Sequence, residues 1–337
     1  MVLSICVATY NRAEFIGATL DSVIPQLTDD VELLVVDGAS TDRTEAVMED
    51  YTRRSDRIRY VRLAAKGGID RDYDLAVGHA RGEYCWLLPD DDLMKPGAID
   101  AVLAEIRKGS ALVIVNAEVR DLDMSSLVEE RRLFFTDDKF YAQSEFEQFF
   151  LDNIIYMTYI GCVVIRRNLW MEREREKYYG TEFIHVGVIF QKPIPGPISV
   201  IATPYLSIRL GNAQWTARAF EIWVFKWPTL IWSFNDISQH AKAKVYPREA
   251  WKTVTRLLFI RAEGNFGADE YRKFIRPKLS SSFERAKIRT VTLIPGPIVN
   301  ILARIYYSFR ASKNQYALFV LKSSRFNLFN TAKRSIS

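Results

Sequence analysis

Three adjacent carboxylates, Asp90-Asp91-Asp92, follow directly on the apolar run Tyr84–Leu88 and precede Leu93-Met94-Lys95-Pro96. Neighbouring carboxylates repel one another, and a cation offsets that repulsion. Oxygen donors of this kind suit Mg²⁺ or Mn²⁺, either of which also binds a diphosphate. A solvated acidic turn leading into the next helix is the plainer reading of the same residues. A second acid, Asp37, closes the apolar run Val31–Val36 within Asp37-Gly38-Ala39-Ser40. There an aspartate either caps the next helix or accepts a hydrogen bond from a ribose or base. A third polar run end, Thr9-Tyr10-Asn11-Arg12, follows Leu3–Ala8. It lacks the Gly-x-Gly-x-x-Gly turn of a dinucleotide-binding dehydrogenase, and no Walker sequence occurs anywhere in the chain.

The elements that must position these residues alternate. Apolar runs at Leu3–Ala8, Val31–Val36 and Tyr84–Leu88 predict strands, and Ile58–Leu63 is read as a further one. Helical periodicity predicts helices over Glu14–Leu27, from Thr41 or Asp42 to Arg54, and over Asp70–Ala80. This order implies an α/β fold with a parallel sheet flanked by helices on both faces. In such sheets ligands bind outside the carboxyl ends of the strands, which is where Thr9, Asn11, Asp37 and the triplet fall. Further strands are predicted at Ala111–Val115 and Gly161–Ile165, with a helix over Ser144–Ile154 between them. From Trp215 onward the chain is aromatic-rich, helical in period and basic.

The 337 residues, 48% hydrophobic and 26% charged, suffice for one large domain with an appendage. Three cysteines without C-x-x-C spacing fit buried thiols in a reducing compartment rather than a disulfide framework or zinc site. The N-terminus has no basic region followed by an apolar one, and no run of about 18 apolar residues occurs, so a cytoplasmic protein is expected. The net charge of +5 conceals an asymmetry: residues 1–215 hold 24 basic and 34 acidic side chains, residues 216–337 hold 22 and 7. No acid follows Glu284, whereas Arg285 to Arg334 includes ten basic residues. Such a tail seeks phosphate. No nucleic-acid reader module accompanies it. The apolar stretch Val291–Phe309, flanked by Arg285, Lys287, Arg289, Arg304 and Arg310, reads as attachment to an anionic membrane surface or as a helical bundle with a solvated basic face.

Taken together, Ser4–Arg12, Val35–Asp42, Gly67-Gly68-Ile69, Ala80–Tyr84 and Leu87–Asp92 resemble the successive signatures of family 2 glycosyltransferases. The resemblance covers about residues 2–100. It implies a GT-A fold and an inverting transfer from a nucleotide sugar with Mg²⁺ or Mn²⁺. The stretch Gly68–Asp74 with Tyr84-Cys85-Trp86 is also similar to the branch containing abequosyltransferases of O-antigen synthesis. By position, the resemblance implies that Thr9 and Asn11 line the nucleotide pocket, Asp37 contacts the base, and Arg71 or Asp72 lies near the nucleoside. Two positions depart from the family pattern. Gly38 stands where a second acid is usual, and Pro89 replaces the first acid of Asp-x-Asp-Asp. Either Asp90 and Asp92 form the metal pair, or Asp91 is the principal ligand.

Family 2 enzymes carry their base in a downstream acidic motif, which the resemblance aligns with Gly180-Thr181-Glu182-Phe183-Ile184-His185. Glu182 is the candidate base. His185 is the alternative, as base or as a metal or phosphate contact, and a surface Glu at a helix start is the plain reading. Asp152 lacks the glycine-led turn. Arg209, followed by Trp215, falls where many GT-A enzymes close a loop over the diphosphate; a strand-edge Arg with a core Trp is the alternative. The expected organisation is a GT-A-like catalytic domain over 1–215, with a donor half to about 110 and an acceptor half beyond it, then a helical, basic region over 216–337. The expected task is addition of one sugar to a glycan on a polyprenyl diphosphate, at the cytoplasmic membrane face. Two other readings remain open. A sugar nucleotidyltransferase would need a Gly-rich basic loop after the first strand, which is absent. A non-catalytic membrane scaffold would accommodate Gly38 and Pro89.

Overall fold

The computed structural model describes residues 1–309 and 315–328; Arg310, Lys313, Lys333 and Arg334 of the basic tail lie outside the described residues. The chain divides into two compact units, Met1–Leu210 with Ser233–Val245, and Gly211–Trp232 with Tyr246–Ser337. The return of Ser233–Val245 to the first unit is a feature that a single boundary at residue 215 does not contain.

In the first unit, β1 (Leu3–Thr9), α1 (Ile16–Val23), β2 (Val31–Asp37), α2 (Thr44–Arg54), β3 (Ile58–Arg62), α3 (Ile69–His79) and β4 (Tyr84–Leu88) alternate as their apolar runs predict. Strands β1, β2 and β4 are buried along their whole length, as strands covered on both faces must be. They pair in parallel, β3–β2–β1–β4. Register sets Thr9 directly opposite Asp37, so two polar strand ends become neighbours.

Beyond β4 come β5 (Leu93–Met94), α4 (Ala98–Arg107), β6 (Leu112–Arg120), β7 (Leu127–Glu129), β8 (Lys139–Tyr141), α5 (Phe146–Asn153), β9 (Val163–Arg166), α6 (Arg167–Met171), α7 (Ile184–Phe190) and β10 (Ile198–Arg209). The path through the sheet is β3-β2-β1-β4-β9-β6-β10-β5, with β7 on β6 and β8 on β10. The first four strands and the β6–β10 pair are parallel, as a mostly parallel sheet requires, and the exceptions lie beyond β4. Strand β9 runs antiparallel to both β4 and β6, and β5 antiparallel to β10, so the sheet is mixed. Hydrophobic periodicity places a strand but carries no sign of its direction.

β10 pairs in parallel with β6 and shifts register between Ile201 and Leu206. The irregularity brackets Thr203-Pro204-Tyr205, where proline has no N–H to give a ladder. After it, Ser207 pairs with Leu93 of β5. That pairing carries Arg209 to the residue beside the acidic triplet.

The second unit is helical. Its core gathers Phe220, Val224, Leu257, Phe266 and Ile275, with Phe220 and Phe266 stacked at 5.0 Å. Helices Val254–Glu263, Gly296–Ser308 and Gln315–Ser323 are tied through Asn300, whose Nδ2 donates to the carbonyls of Ala262 (3.0 Å) and Leu321 (2.9 Å). Trp215 lies in this unit and is 39% exposed, which corrects the reading of it as a core tryptophan.

Candidate active site

The loops after β1 and β2 are stitched to one another. Asn11 Oδ1 accepts from Thr41 N (2.7 Å) and Asp42 N (3.3 Å), and Asn11 N donates to Ser40 Oγ (2.9 Å). Arg12 N donates to Thr44 Oγ1 and Ala13 N to Asp42 Oδ2. Asn11 holds φ +53°, a left-handed value that asparagine tolerates better than most residues, and Ala39 holds φ +64°. Asp37 is fully buried: its Oδ1 takes Ser40 N at 2.8 Å and its Oδ2 takes the Tyr60 hydroxyl at 2.6 Å. That second contact raises the Tyr60 phenol along with burial, burial being the larger cause.

The triplet sits next to these loops. Arg12 Nε lies 3.5 Å from Asp90 Oδ1 and Arg12 Nη2 lies 3.3 Å from Asp91 Oδ2. Asp92 Oδ1 accepts the Arg209 N–H at 2.7 Å, and Arg209 Nε donates to the Asp91 carbonyl at 2.8 Å. Arg209 Nη1 reaches the Leu122 carbonyl and its guanidinium lies over the Phe15 ring. Burial pushes the Asp90 carboxyl up to about 7, with the Asp91 charge adding to it and Arg12 opposing. Asp92 is raised well above the ordinary carboxyl range by burial and then by Asp91. The Thr9 hydroxyl beside Asp90 and the Tyr159 phenol beside Asp92 favour the charged forms. Yet neither Thr9 Oγ1 nor Tyr159 Oη, both buried, completes a hydrogen bond of good geometry. Pro89 packs on Gly161: a Cβ at 161 would lie 2.8 Å from Pro89 Cδ and 2.3 Å from the Tyr159 ring.

This donor set fits a divalent cation shared with a ligand. It is oxygen-only, it holds carboxyls whose ionisation burial and the neighbouring Asp91 charge hold back, and it leaves the buried Thr9 and Tyr159 hydroxyl oxygens without partners. Among the described residues no three acidic, histidine or cysteine side chains form a ready cage. A Mg²⁺ bound together with a diphosphate needs only one or two carboxylates.

Asp72 occupies the space beside Asp37. A Cβ at Gly38 would lie 2.8 Å from Asp72 Oδ2, and one at Gly67 would lie 2.8 Å from Asp72 Oδ1. The carboxyl is thus wedged between two glycines, 3% exposed, with Oδ1 unpartnered, and burial raises it to about 6. Where the resemblance leads one to expect a second acid at position 38, the space is filled by a carboxylate from α3. Arg71 is exposed, its chain lying over the Gly67 turn.

Glu182 has φ +73° and lies just before α7. His185 is 1% exposed within α7; its Nε2 meets the Met157 carbonyl at 2.7 Å, so that nitrogen carries the proton. Burial lowers its pKa to about 4, which keeps the ring neutral. Asp152 is engaged by Tyr141 and Gln148.

Sequence reasoning missed four residues: Arg12, the counter-charge of the triplet; Tyr60, which fixes Asp37; Tyr159; and Asp70. Arg12 stood inside the first motif and could have been found there as the only cation at that strand end. The others come from distant segments, and only the fold brings them in.

Residues 4–173, half of the chain, match the family described as Glycosyl transferase family 2. Among curated relatives, the abequosyltransferase RfbV of Salmonella typhimurium is 25% identical over 56% of this chain and 60% of its own. The GalNAc(5)-diNAcBac-PP-undecaprenol β-1,3-glucosyltransferase of Campylobacter jejuni is 30% identical over 34% of this chain and 37% of its own. The chain thus spans less than two thirds of either relative. Among solved structures, residues 1–349 of S. aureus TarS in complex with UDP-GlcNAc align at a TM-score of 0.58 and 16% identity, covering 96% of this chain and 91% of that one. That likeness is one of fold, and it agrees with the GT-A architecture of a mixed sheet flanked by helices. By its motifs, its fold and the span of the match, the chain belongs to glycosyl transferase family 2.

Proposed function

We propose that the protein is an inverting, metal-dependent glycosyltransferase that moves one sugar from a nucleotide sugar to a glycan in cell-surface polysaccharide synthesis. The observation that carries this is the triplet Asp90-Asp91-Asp92, in which burial raises the Asp90 and Asp92 carboxyls, placed at a strand end beside Thr9 and Arg12. Asp90, Asp91 and Asp92 are the residues that would hold Mg²⁺ or Mn²⁺, which supplies positive charge for the departing diphosphate. Asp72, whose Oδ1 has no partner, accepts from the nucleoside beside Asp37, whose oxygens hold Ser40 and Tyr60 and which contacts the base; Thr9 and Asn11 frame that pocket, and Arg71 closes it from the exposed side. Arg12 and Arg209 fix the carboxylates and add positive charge facing the diphosphate. Glu182 takes the proton of the acceptor hydroxyl, whose oxygen attacks the sugar C1. The bond from C1 to the diphosphate oxygen breaks, and the nucleoside diphosphate leaves with the electron pair. Glu182 suits this role better than His185, whose ring is buried and bound to a backbone carbonyl.

The acceptor side is read from the second unit. On helix Gly296–Ser308 and the residue after it, Ile298 (51%), Leu302 (61%), Ile305 (50%) and Phe309 (85%) are exposed at i, i+4, i+7 and i+11. That is one apolar stripe, and Lys287 and Arg289 on Ser282–Leu293 are exposed. Among the described residues no single helix is long and apolar enough to cross a membrane. Ser282–Leu293 and Gly296–Ser308 reach that length only together, across an 85° bend. An exposed apolar stripe, with exposed basic residues on the preceding helix, supports lying on an anionic bilayer, where an acceptor carried on a polyprenyl diphosphate would be met.

The direct test is release of nucleoside diphosphate from a panel of nucleotide sugars with Mn²⁺ or Mg²⁺. Turnover with one donor, lost in Asp91→Ala while nucleotide binding persists, is the expected result. No turnover with any donor would favour a non-catalytic scaffold.

A further inference from the structure

Asp70 belongs to none of the strand ends described above, yet both of its carboxylate oxygens are engaged. It is the second residue of α3 and is 4% exposed. Its two carboxylate oxygens each accept a backbone N–H from a segment more than a hundred residues later: Oδ2 from Glu182 and Oδ1 from Ile184, both at 2.9 Å. The tripeptide between these donors begins at the one residue of the segment with a side chain and a left-handed backbone, Glu182 at φ +73°, two residues after Gly180 at φ +81°.

A non-glycine residue in that region is strained and persists only where its surroundings over-determine it. Asp70 supplies that determination from below. Four residues further along α3, Asp74 takes Trp170 Nε1 at 2.8 Å and pairs with Arg175 Nε at 2.9 Å. Positions i and i+4 share one face of a helix, so one face of α3 clasps the stretch 170–184 at two points. Between them, Asp72 turns to the glycine cradle beside Asp37. A single rigid helix therefore carries both a nucleoside-facing carboxylate and the anchor of the candidate base.

We propose that Asp70 is a positioning residue: by holding the N–H groups of Glu182 and Ile184 it fixes Glu182 in its left-handed turn and so aims the Glu182 carboxylate at the acceptor hydroxyl. This rests on the reading of Glu182 as the base. Asparagine at position 70 keeps one acceptor oxygen but loses the second, freeing one of the two N–H groups. Nucleotide binding, which uses the opposite side of α3, is left in place.

The test compares wild type, Asp70→Asn, Asp70→Ser, Glu182→Gln and the double variant Asp70→Asn/Glu182→Gln. It reads nucleoside diphosphate release from the nucleotide sugar that turns over, with water as acceptor, and calorimetric affinity for the same nucleoside diphosphate. Asp70→Asn is expected to lower kcat at least tenfold, with donor KM and nucleotide Kd within twofold of wild type. It is expected to add less than twofold to the loss already present in Glu182→Gln. A role confined to stability would leave kcat of the folded variant intact or would multiply with Glu182→Gln, and either result overturns the proposal. Asp70→Ser is judged by the same criteria if Asp70→Asn fails to fold; loss of fold in both assigns Asp70 to stability and overturns it too. Wild-type kcat in Glu182→Gln is a separate outcome: it removes the base reading itself, and this proposal with it.

Discussion

Asp72 is the residue whose environment most changes what its type alone suggests. Its carboxyl is buried between Gly38 and Gly67, and burial raises it to about 6, as burial does for Asp70. An aspartate in an unfolded chain titrates near roughly 3.9. Between about pH 4 and 6 the folded protein therefore holds protons that the unfolded chain has released, so the stability these groups contribute is fully present below about pH 4 and lost as pH rises through 6. Asp72→Asn cannot ionise. The drop in Tm between pH 5 and pH 8 should be smaller in that variant than in the parent, and an unchanged difference would count against the burial argument. At this scale the triplet, Asp37 and Glu182 were visible in the sequence because each sits in a short, ordered motif. Arg12 was visible but unassigned, since nothing in a linear chain says which carboxylate an arginine will face. Tyr60 and Asp70 were not visible: the first is a strand tyrosine 23 residues from Asp37, and the second acts across 112 residues.

Among the elements, the site depends on two joins. The first is the brace between the β1 and β2 loops, where Asn11 Oδ1 accepts from Thr41 and Asp42. Asn11→Ala removes the acceptor and leaves a residue less suited to φ +53°. The expected cost is about 1–3 kcal/mol, seen as a Tm lower by several degrees and as weaker nucleotide binding; a Tm within a degree of the parent would contradict the brace. The second join is β5 against β10, which sets the Arg209 N–H on Asp92. β1, β2 and β4 were legible because each is a buried apolar run ended by polar residues, and β3 by the alternation of Ile58, Tyr60 and Arg62 with Arg59 and Val61 in a short β-prone segment. β10 was not, because Pro204 and Tyr205 interrupt its pattern just where the register shifts. The antiparallel β9 was located as a strand, but its direction is decided by the chain path through α5 and the turns after it.

Across the whole molecule, the charge asymmetry seen in the sequence separates into the two units: acidic strand ends in one, an exposed apolar stripe and exposed basic residues in the other. If the stripe lies on lipid, Leu302→Glu with Ile305→Glu should abolish flotation with anionic liposomes and leave donor hydrolysis in solution unchanged, since both side chains are exposed. Flotation equal to the parent would place the stripe elsewhere. The acidic triplet is tested most directly by the Tm of the full chain with UDP, GDP, dTDP and CDP, with Mn²⁺ and with EDTA. Ligand that binds only the folded state raises Tm by mass action. At least one nucleotide should raise Tm with Mn²⁺ present, with the rise removed by EDTA and diminished in Asp91→Ala. No shift with any of the four, and no effect of EDTA, would contradict a metal-assisted nucleotide site at Asp90-Asp91-Asp92.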